Sequence, residues 1–210
     1  MNRIPVYLAS ASPARKRLLT EVGFAPIVIE HRTDEEEVVE MESRRLGRSL
    51  NPEETVSLLA EHKGQHLDMQ ISGVLITADT VLSLDGVAYG KPSTSADALY
   101  LLKKLRGREA SFVTGQWVEY RRSESQRESL LSVTKSHLKV SASISDAELI
   151  AYVNTGEPQR FSGGLTTGYR SAPFIEEVYG DSTAMLGLSM SALRKSLASL
   201  QIPLTSLWGG

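Results

Sequence analysis

A carboxylate set inside an apolar strand constrains this chain more than any other feature. In the stretch Ile76–Pro92, I-T-A-D-T-V-L-S-L-D-G-V-A-Y-G-K-P, Asp79 stands among Ile76, Ala78, Val81 and Leu82. An unpaired carboxylate there costs several kcal/mol, so it must shift its pKa or find a cation. Asp85-Gly86 supplies a two-residue hairpin turn, because both residues tolerate positive φ. The return strand is Val87-Ala88-Tyr89, and Gly90-Lys91-Pro92 breaks it. A two-residue turn at 85–86 pairs Lys91 with Thr80, one step from Asp79. Strict alternation puts Lys91 and Asp79 on opposite faces. Gly90 and Pro92 are expected to end the ladder and free the lysine to reach the acid. An acid and an amine at a hairpin end read as part of a site; the alternative is a surface hairpin with solvated charges.

The 210 residues predict one domain, residues 1–210, long enough to bury a core. With 41% apolar and 23% charged residues the chain reads as soluble and globular. A net charge of −2 argues against wholesale binding to nucleic acid or to a membrane. Local basic clusters (Arg44, Arg45, Arg48; Lys103, Lys104, Arg106, Arg108) read as solvated faces. The absence of cysteine excludes a thiol nucleophile, disulfides and cysteine-based zinc sites, and fits a cytoplasmic protein. No apolar run approaches a membrane span, and the start M-N-R-I-P-V-Y-L-A-S is too short for a secretory core.

Ile4 to Ala9 reads as a short buried strand. Ser12-Pro13 then opens a helix with serine as cap and proline in the first turn, and Gly23 closes it. Free backbone N–H groups, the helix dipole and the Arg15 fork make this junction, with Ser10 and Ser12, a candidate phosphate seat. It is neither a P-loop nor a G-x-G-x-x-G turn, and the local pattern favours an ordinary capped helix with a surface arginine. Pro26 to Glu30 predicts a strand, followed by the acidic run Asp34-Glu35-Glu36-Glu37. Residues 38–51 lack a clear period and are expected to form a loop or short helix. Asn51-Pro52-Glu53-Glu54 starts a helix burying Val56, Leu59, Ala60 and Leu67. Lys63 falls in that apolar stripe, so it either snorkels past the core edge or points into an anion-binding cleft.

Further on, Ser95 to Leu105 predicts a helix, and Ser111 to Arg121 and Leu130 to Val140 two long strands. A capping box at Ser145–Glu148 opens a short helix through Val153. A Gly-rich loop over Ser162–Gly168, a strand around Phe174–Val178 and a helix from Ser189 to Leu200 complete the chain. Alternating helices and strands with a β-rich middle give an α/β class: a mixed twisted sheet flanked by helices. His62 and His66 lack the H-E-x-x-H glutamate and read as solvated. Ser132–Lys135 matches S-x-x-K only inside a predicted strand, and two scattered tryptophans make no nucleic-acid stacking platform.

Taken together, L-A-S-A-S-P-A-R-K-R-L-L, A-D-T-V, Y-G-K-P and V-N-T-G-E-P…G-D-S-T-A-M-L-G-L-S resemble the Maf family, in order from Val6 to Leu200. The resemblance implies an inosine-triphosphatase-like fold with a cleft between two lobes, often as a homodimer. It implies hydrolysis of a nucleoside triphosphate to a monophosphate and pyrophosphate, dependent on Mg²⁺ or Mn²⁺. It places Ser10 and Arg15 on the phosphates, together with Lys63 and Lys91. Asp79 becomes metal ligand or general base, and Asp34-Glu35 the second acidic site, with Glu35 as metal ligand and a register open by a residue or two. The chain departs from the family at Ala14, where many members carry arginine, and at Gly163–Tyr169, which lacks the usual Gln or Glu. The latter positions resemble the base-facing part of the pocket. Thr80 in A-D-T leans toward a pyrimidine substrate, dTTP- or UTP-like, and a non-standard nucleotide is the other expectation. A nucleotide-binding regulator without turnover, linked to cell division, is the competing reading.

Overall fold

The turn at Asp85-Gly86 forms as its residues require, with φ of +54° and +78°. Leu84 pairs with Val87, Ser83 with Ala88 and Leu82 with Tyr89, and the ladder ends there. The computed structural model describes residues 3–30, 33–67, 69–123 and 125–209; Met1 and Asn2, part of the start read above for a leader, lie outside them.

Among the described residues, strands β1 (Val6–Ala9), β2 (Ile27–Ile29), β3 (Gly73–Leu84), β4 (Val87–Tyr89), β5 (Glu109–Arg121), β6 (Arg127–Val140) and β7 (Ile175–Tyr179) form one sheet. Its order is β2-β1-β3-β5-β6-β7, with β4 also on β3. β1 runs parallel to β2 and β3; the other pairings are antiparallel. Helices α1 (Pro13–Glu21), α2 (Glu35–Leu46), α3 (Pro52–Gln65), α4 (Ser95–Leu105), α5 (Asp146–Val153) and α6 (Met190–Ser199) flank it. The expected mixed α/β class is therefore the observed one. Side-chain caps begin the helices where the sequence offers them: Ser12, Asn51 with Glu54, Thr94 with Asp97, Ser145 with Glu148, and Ser189.

Leu67, expected on the buried face of the helix that starts at Asn51, instead lies past the end of α3 and is half-buried. A larger expectation also fails. Residues 38–51 were expected as a loop or short helix, yet α2 runs for 12 residues. It buries none of them, so it has no apolar stripe for periodicity to reveal. Charge specifies it instead. Asp34 caps it, three glutamates occupy the first turn, Arg44 and Arg45 the last, and Gly47 ends it at φ +69°. Ion pairs Arg44–Glu40 and Arg45–Glu42 run along its surface. The other basic clusters are similarly offset, by Arg48–Glu54, Lys103–Asp146, Arg106–Asp146 and Arg108–Asp85.

The pairing of β3 positions the site. β5 covers one edge of β3 from Gly73 to Ser83, so β1 and β4 must share the other. β1 pairs only with Val74–Ile76 and β4 only with Leu82–Leu84. Among the described residues, no strand pairs with the edge between them, residues 77–81. Two apolar clusters flank this gap. One joins Val6, Leu8, Val74, Ile76 and Ala78 to α1 and α6 through Leu18, Leu19, Leu193 and Leu197. The other joins Leu82, Leu84, Phe112 and Leu138 to α4 and α5. α3 packs on the opposite face, where Val56 meets Val81 and Val113.

Candidate functional site

Asp79 and Thr80 occupy the gap and point to opposite faces, as strand alternation demands. On the α3 face, the Lys63 ammonium donates to Asp79 Oδ1 at 2.8 Å and pairs with Glu35 Oε1 at 2.7 Å. Its side chain is 2% exposed, that of Asp79 10% and that of Glu35 47%. Lys63 therefore does not snorkel; it neutralises the carboxylate that interrupts β3. Glycines make this approach feasible. A Cβ on Gly115, directly opposite Asp79, would overlap the Val56 carbonyl, and one on Gly64 would enter the Trp117 ring. Buried Arg121 holds the end of α3 by donating to the Gly64 carbonyl at 3.0 Å while paired with Glu119.

The acidic run divides its labour. Asp34 Oδ1 accepts from the Glu37 N–H at 3.0 Å and caps α2. Glu35, first residue of that helix, is the one that reaches Lys63; Glu36 and Glu37 are exposed.

On the other face, Arg15 is held at three of its guanidinium nitrogens. Nε donates to the Gly187 carbonyl at 2.9 Å, Nη1 to Ser10 Oγ at 3.1 Å and Nη2 to Thr80 Oγ1 at 3.3 Å. Three of five N–H donors are engaged, which leaves two for an anion. Burial pulls the Arg15 pKa down, opposed by the charges of Asp79 and Glu35, and the net shift is downward. Buried Ser10 also accepts from the Ser12 N–H. Thr80 Oγ1 meets Thr114 Oγ1 at 2.9 Å, and Thr114 donates to the Ala184 carbonyl at 2.8 Å. The Ser162 hydroxyl donates to the Thr80 carbonyl at 2.6 Å, which brings the Gly-rich loop onto the open edge.

Ser10, Arg15, Glu35, Lys63 and Asp79 thus come together. Lys91 does not. It is exposed just past the end of β4, without an ionic or hydrogen-bond partner among the described residues. Neither His62 nor His66 joins the site; their rings stack on each other at 3.9 Å. Sequence reasoning missed Thr114, Gly115, Asp181 and Gly187. A glycine inside an apolar strand was a usable signal for Gly115, since it marks close backbone approach.

The Glu35 and Asp79 oxygens are hard donors of the kind that hold Mg²⁺ or Mn²⁺ when substrate oxygens and water complete the shell. Among the described residues no group of three or more His, Asp or Glu side chains gathers as a protein-only metal cage.

Fold and site define a mixed α/β protein whose charged centre straddles a break in the edge of its central strand. Residues 5–200 match the family described as Maf-like protein, and the chain belongs to that family. It is 33% identical over 208 residues to a Leifsonia xyli protein named nucleoside triphosphate pyrophosphatase, covering 97% of this chain and 96% of that one. A Streptomyces coelicolor protein of the same name is 37% identical over 201 residues, covering 96% and 93%. Among solved structures, a HAM1 protein from Coxiella burnetii is similar at TM-score 0.44 and 15% identity, covering 92% of this chain and 100% of that one. A nucleoside-triphosphatase / dITP/XTP pyrophosphatase from Mycobacterium abscessus is similar at TM-score 0.41 and 12% identity, covering 94% and 95%. Among the described residues no helix is long and apolar enough to cross a membrane.

Proposed function

We propose that this chain hydrolyses a nucleoside triphosphate to a nucleoside monophosphate and pyrophosphate. The observation that carries the reading is Lys63 bound between Asp79 and Glu35 across the gap from Arg15. Two fixed cations beside two carboxylates suit a polyphosphate and the water that cleaves it. The curated relatives of this length carry the name of that activity.

In this reading Arg15 uses its two remaining donors on phosphate oxygens, with Ser10 beside it. Lys63 neutralises charge developing on the phosphoryl oxygens, and exposed Lys91 closes on the phosphates from the end of the hairpin. Water attacks the α-phosphorus and its proton passes to Asp79. The bond from that phosphorus to the α–β bridging oxygen breaks, and the oxygen leaves with its electron pair as pyrophosphate. Glu35 and Asp79 would hold a divalent cation, Mg²⁺ or Mn²⁺. When bound, it supplies charge neutralisation at the phosphates and acidifies a coordinated water. The two apolar clusters either side of residues 77–81 support a single domain in two lobes.

For the base we favour a pyrimidine triphosphate of the dTTP or UTP kind, or a non-standard nucleotide. Thr80 supports this, while the Gly163–Tyr169 loop departs from the family's base-facing pattern and leaves the choice of base to experiment. A panel of nucleoside triphosphates assayed for pyrophosphate, with Mg²⁺, Mn²⁺ and EDTA arms, tests the reading. Pyrophosphate formation abolished by EDTA is expected; release of orthophosphate from several nucleotides would overturn it.

A further inference from the structure

Asp181 lies outside the charged centre, yet its carboxylate organises the segment that holds Arg15. Oδ1 accepts from the Thr183 N–H at 2.9 Å, the Thr183 hydroxyl at 2.6 Å and the Ala184 N–H at 3.1 Å. Oδ2 accepts from the hydroxyls of Ser189 at 2.6 Å and Ser191 at 3.0 Å. Ser189 is the cap of α6, so one carboxylate ties the turn at 183–186 to the start of that helix. The only residues between them are Gly187 and Leu188.

Gly187 is shaped for its task. Its φ is +108°, and a Cβ there would lie 2.9 Å from Arg15 Nε, inside the guanidinium's own place. Its carbonyl accepts from that same Nε. Ala184, at the other end of the turn, accepts from Thr114, which meets Thr80, which accepts from Arg15. Two routes therefore run from the Asp181 turn to one guanidinium.

We propose that Asp181 is a positioning residue for the Arg15 phosphate seat, acting through the Gly187 carbonyl and the Ala184–Thr114–Thr80 chain. The inference rests on the proposed role of Arg15 at phosphate, but not on turnover. Asp181 does not touch the substrate. It holds the guanidinium so that its two remaining N–H donors face the gap, saving the ordering cost at each binding event.

A double-mutant cycle read by calorimetric binding of inorganic triphosphate in the presence of Mg²⁺ tests it. Asp181→Ala should weaken binding by about tenfold in the wild-type background and by less than about twofold in Arg15→Ala. Asp181→Asn keeps the acceptor for Thr183 and Ala184 and should recover binding to within about threefold. If Asp181→Ala fails to fold, the isosteric Thr114→Val carries the same cycle, because it cuts the anchor at Ala184. Equal losses with and without Arg15 would overturn the proposal, as would a wild-type protein that does not bind triphosphate. Pyrophosphate release from nucleotides, assayed in parallel, separates failure of the proposed activity from failure of this coupling.

Discussion

Gly115 stands directly across the sheet from Asp79, and the backbone of α3 at Val56 occupies the space a Cβ there would need. The close packing of α3 on β5 at this point sets how near Lys63 comes to Asp79. Gly115→Ala should push α3 outward, costing about 1–3 kcal/mol in urea unfolding. It should also lower kcat/KM, because the Lys63–Asp79 contact lengthens. A variant of unchanged stability and rate would show that α3 has slack at this point.

Lys63→Met removes an ammonium while keeping volume, and leaves Asp79 with its α3-face cation gone. Stability should fall by up to about 3 kcal/mol, the cost of an uncompensated buried carboxylate next to an opening to solvent. Adding Asp79→Asn should restore part of that loss. A double variant no more stable than Lys63→Met alone would contradict the pairing.

Asp79→Asn separates two roles. If Asp79 serves as base, kcat should fall roughly 10²–10⁴-fold while substrate still binds. If it is an essential metal ligand, metal affinity should fall as well, and excess Mn²⁺ should partly rescue the rate. Near-normal turnover would remove Asp79 from the chemistry.

What the sequence made legible follows from where it stored its instructions. The hairpin, α1, α3 and α4 were readable from the caps at Ser12 and Asn51, the turn residues Asp85-Gly86, and the apolar spacing of Ala98, Leu101, Leu102 and Leu105. The buried carboxylate announced its need for a cation, and Lys63 on an apolar stripe was a candidate for it. α2 escaped because only charge specifies it. The Gly-rich loop was harder: its short turn at 162–164 is tied to distant segments by the Ser162 hydroxyl on the Thr80 carbonyl and the Gly163 N–H on the Gly90 carbonyl. The Arg15–Gly187 contact joins residues 172 apart in the chain, and no local pattern encodes such a contact.

Asp181 should also leave a mark on acid stability. Burial pushes its carboxyl up, but hydrogen bonds from Ser189, Thr183, the Ala184 amide and Ser191 together outweigh it and hold the pKa at about 2. The folded value lies below the ordinary 3.8. Its stabilisation is therefore complete above about pH 4 and lost as pH falls toward 2. Urea midpoints of wild type should drop across that window more steeply than those of Asp181→Asn. Parallel curves would show that this carboxyl titrates elsewhere.

The most direct test of the account is the fate of water oxygen. Hydrolysis of the preferred triphosphate in H₂¹⁸O, followed by mass spectrometry of both products, reports which phosphorus is attacked. Attack at the α-phosphorus beside Asp79 predicts one ¹⁸O in the nucleoside monophosphate and none in the pyrophosphate. Label in pyrophosphate, or release of labelled orthophosphate, would contradict it.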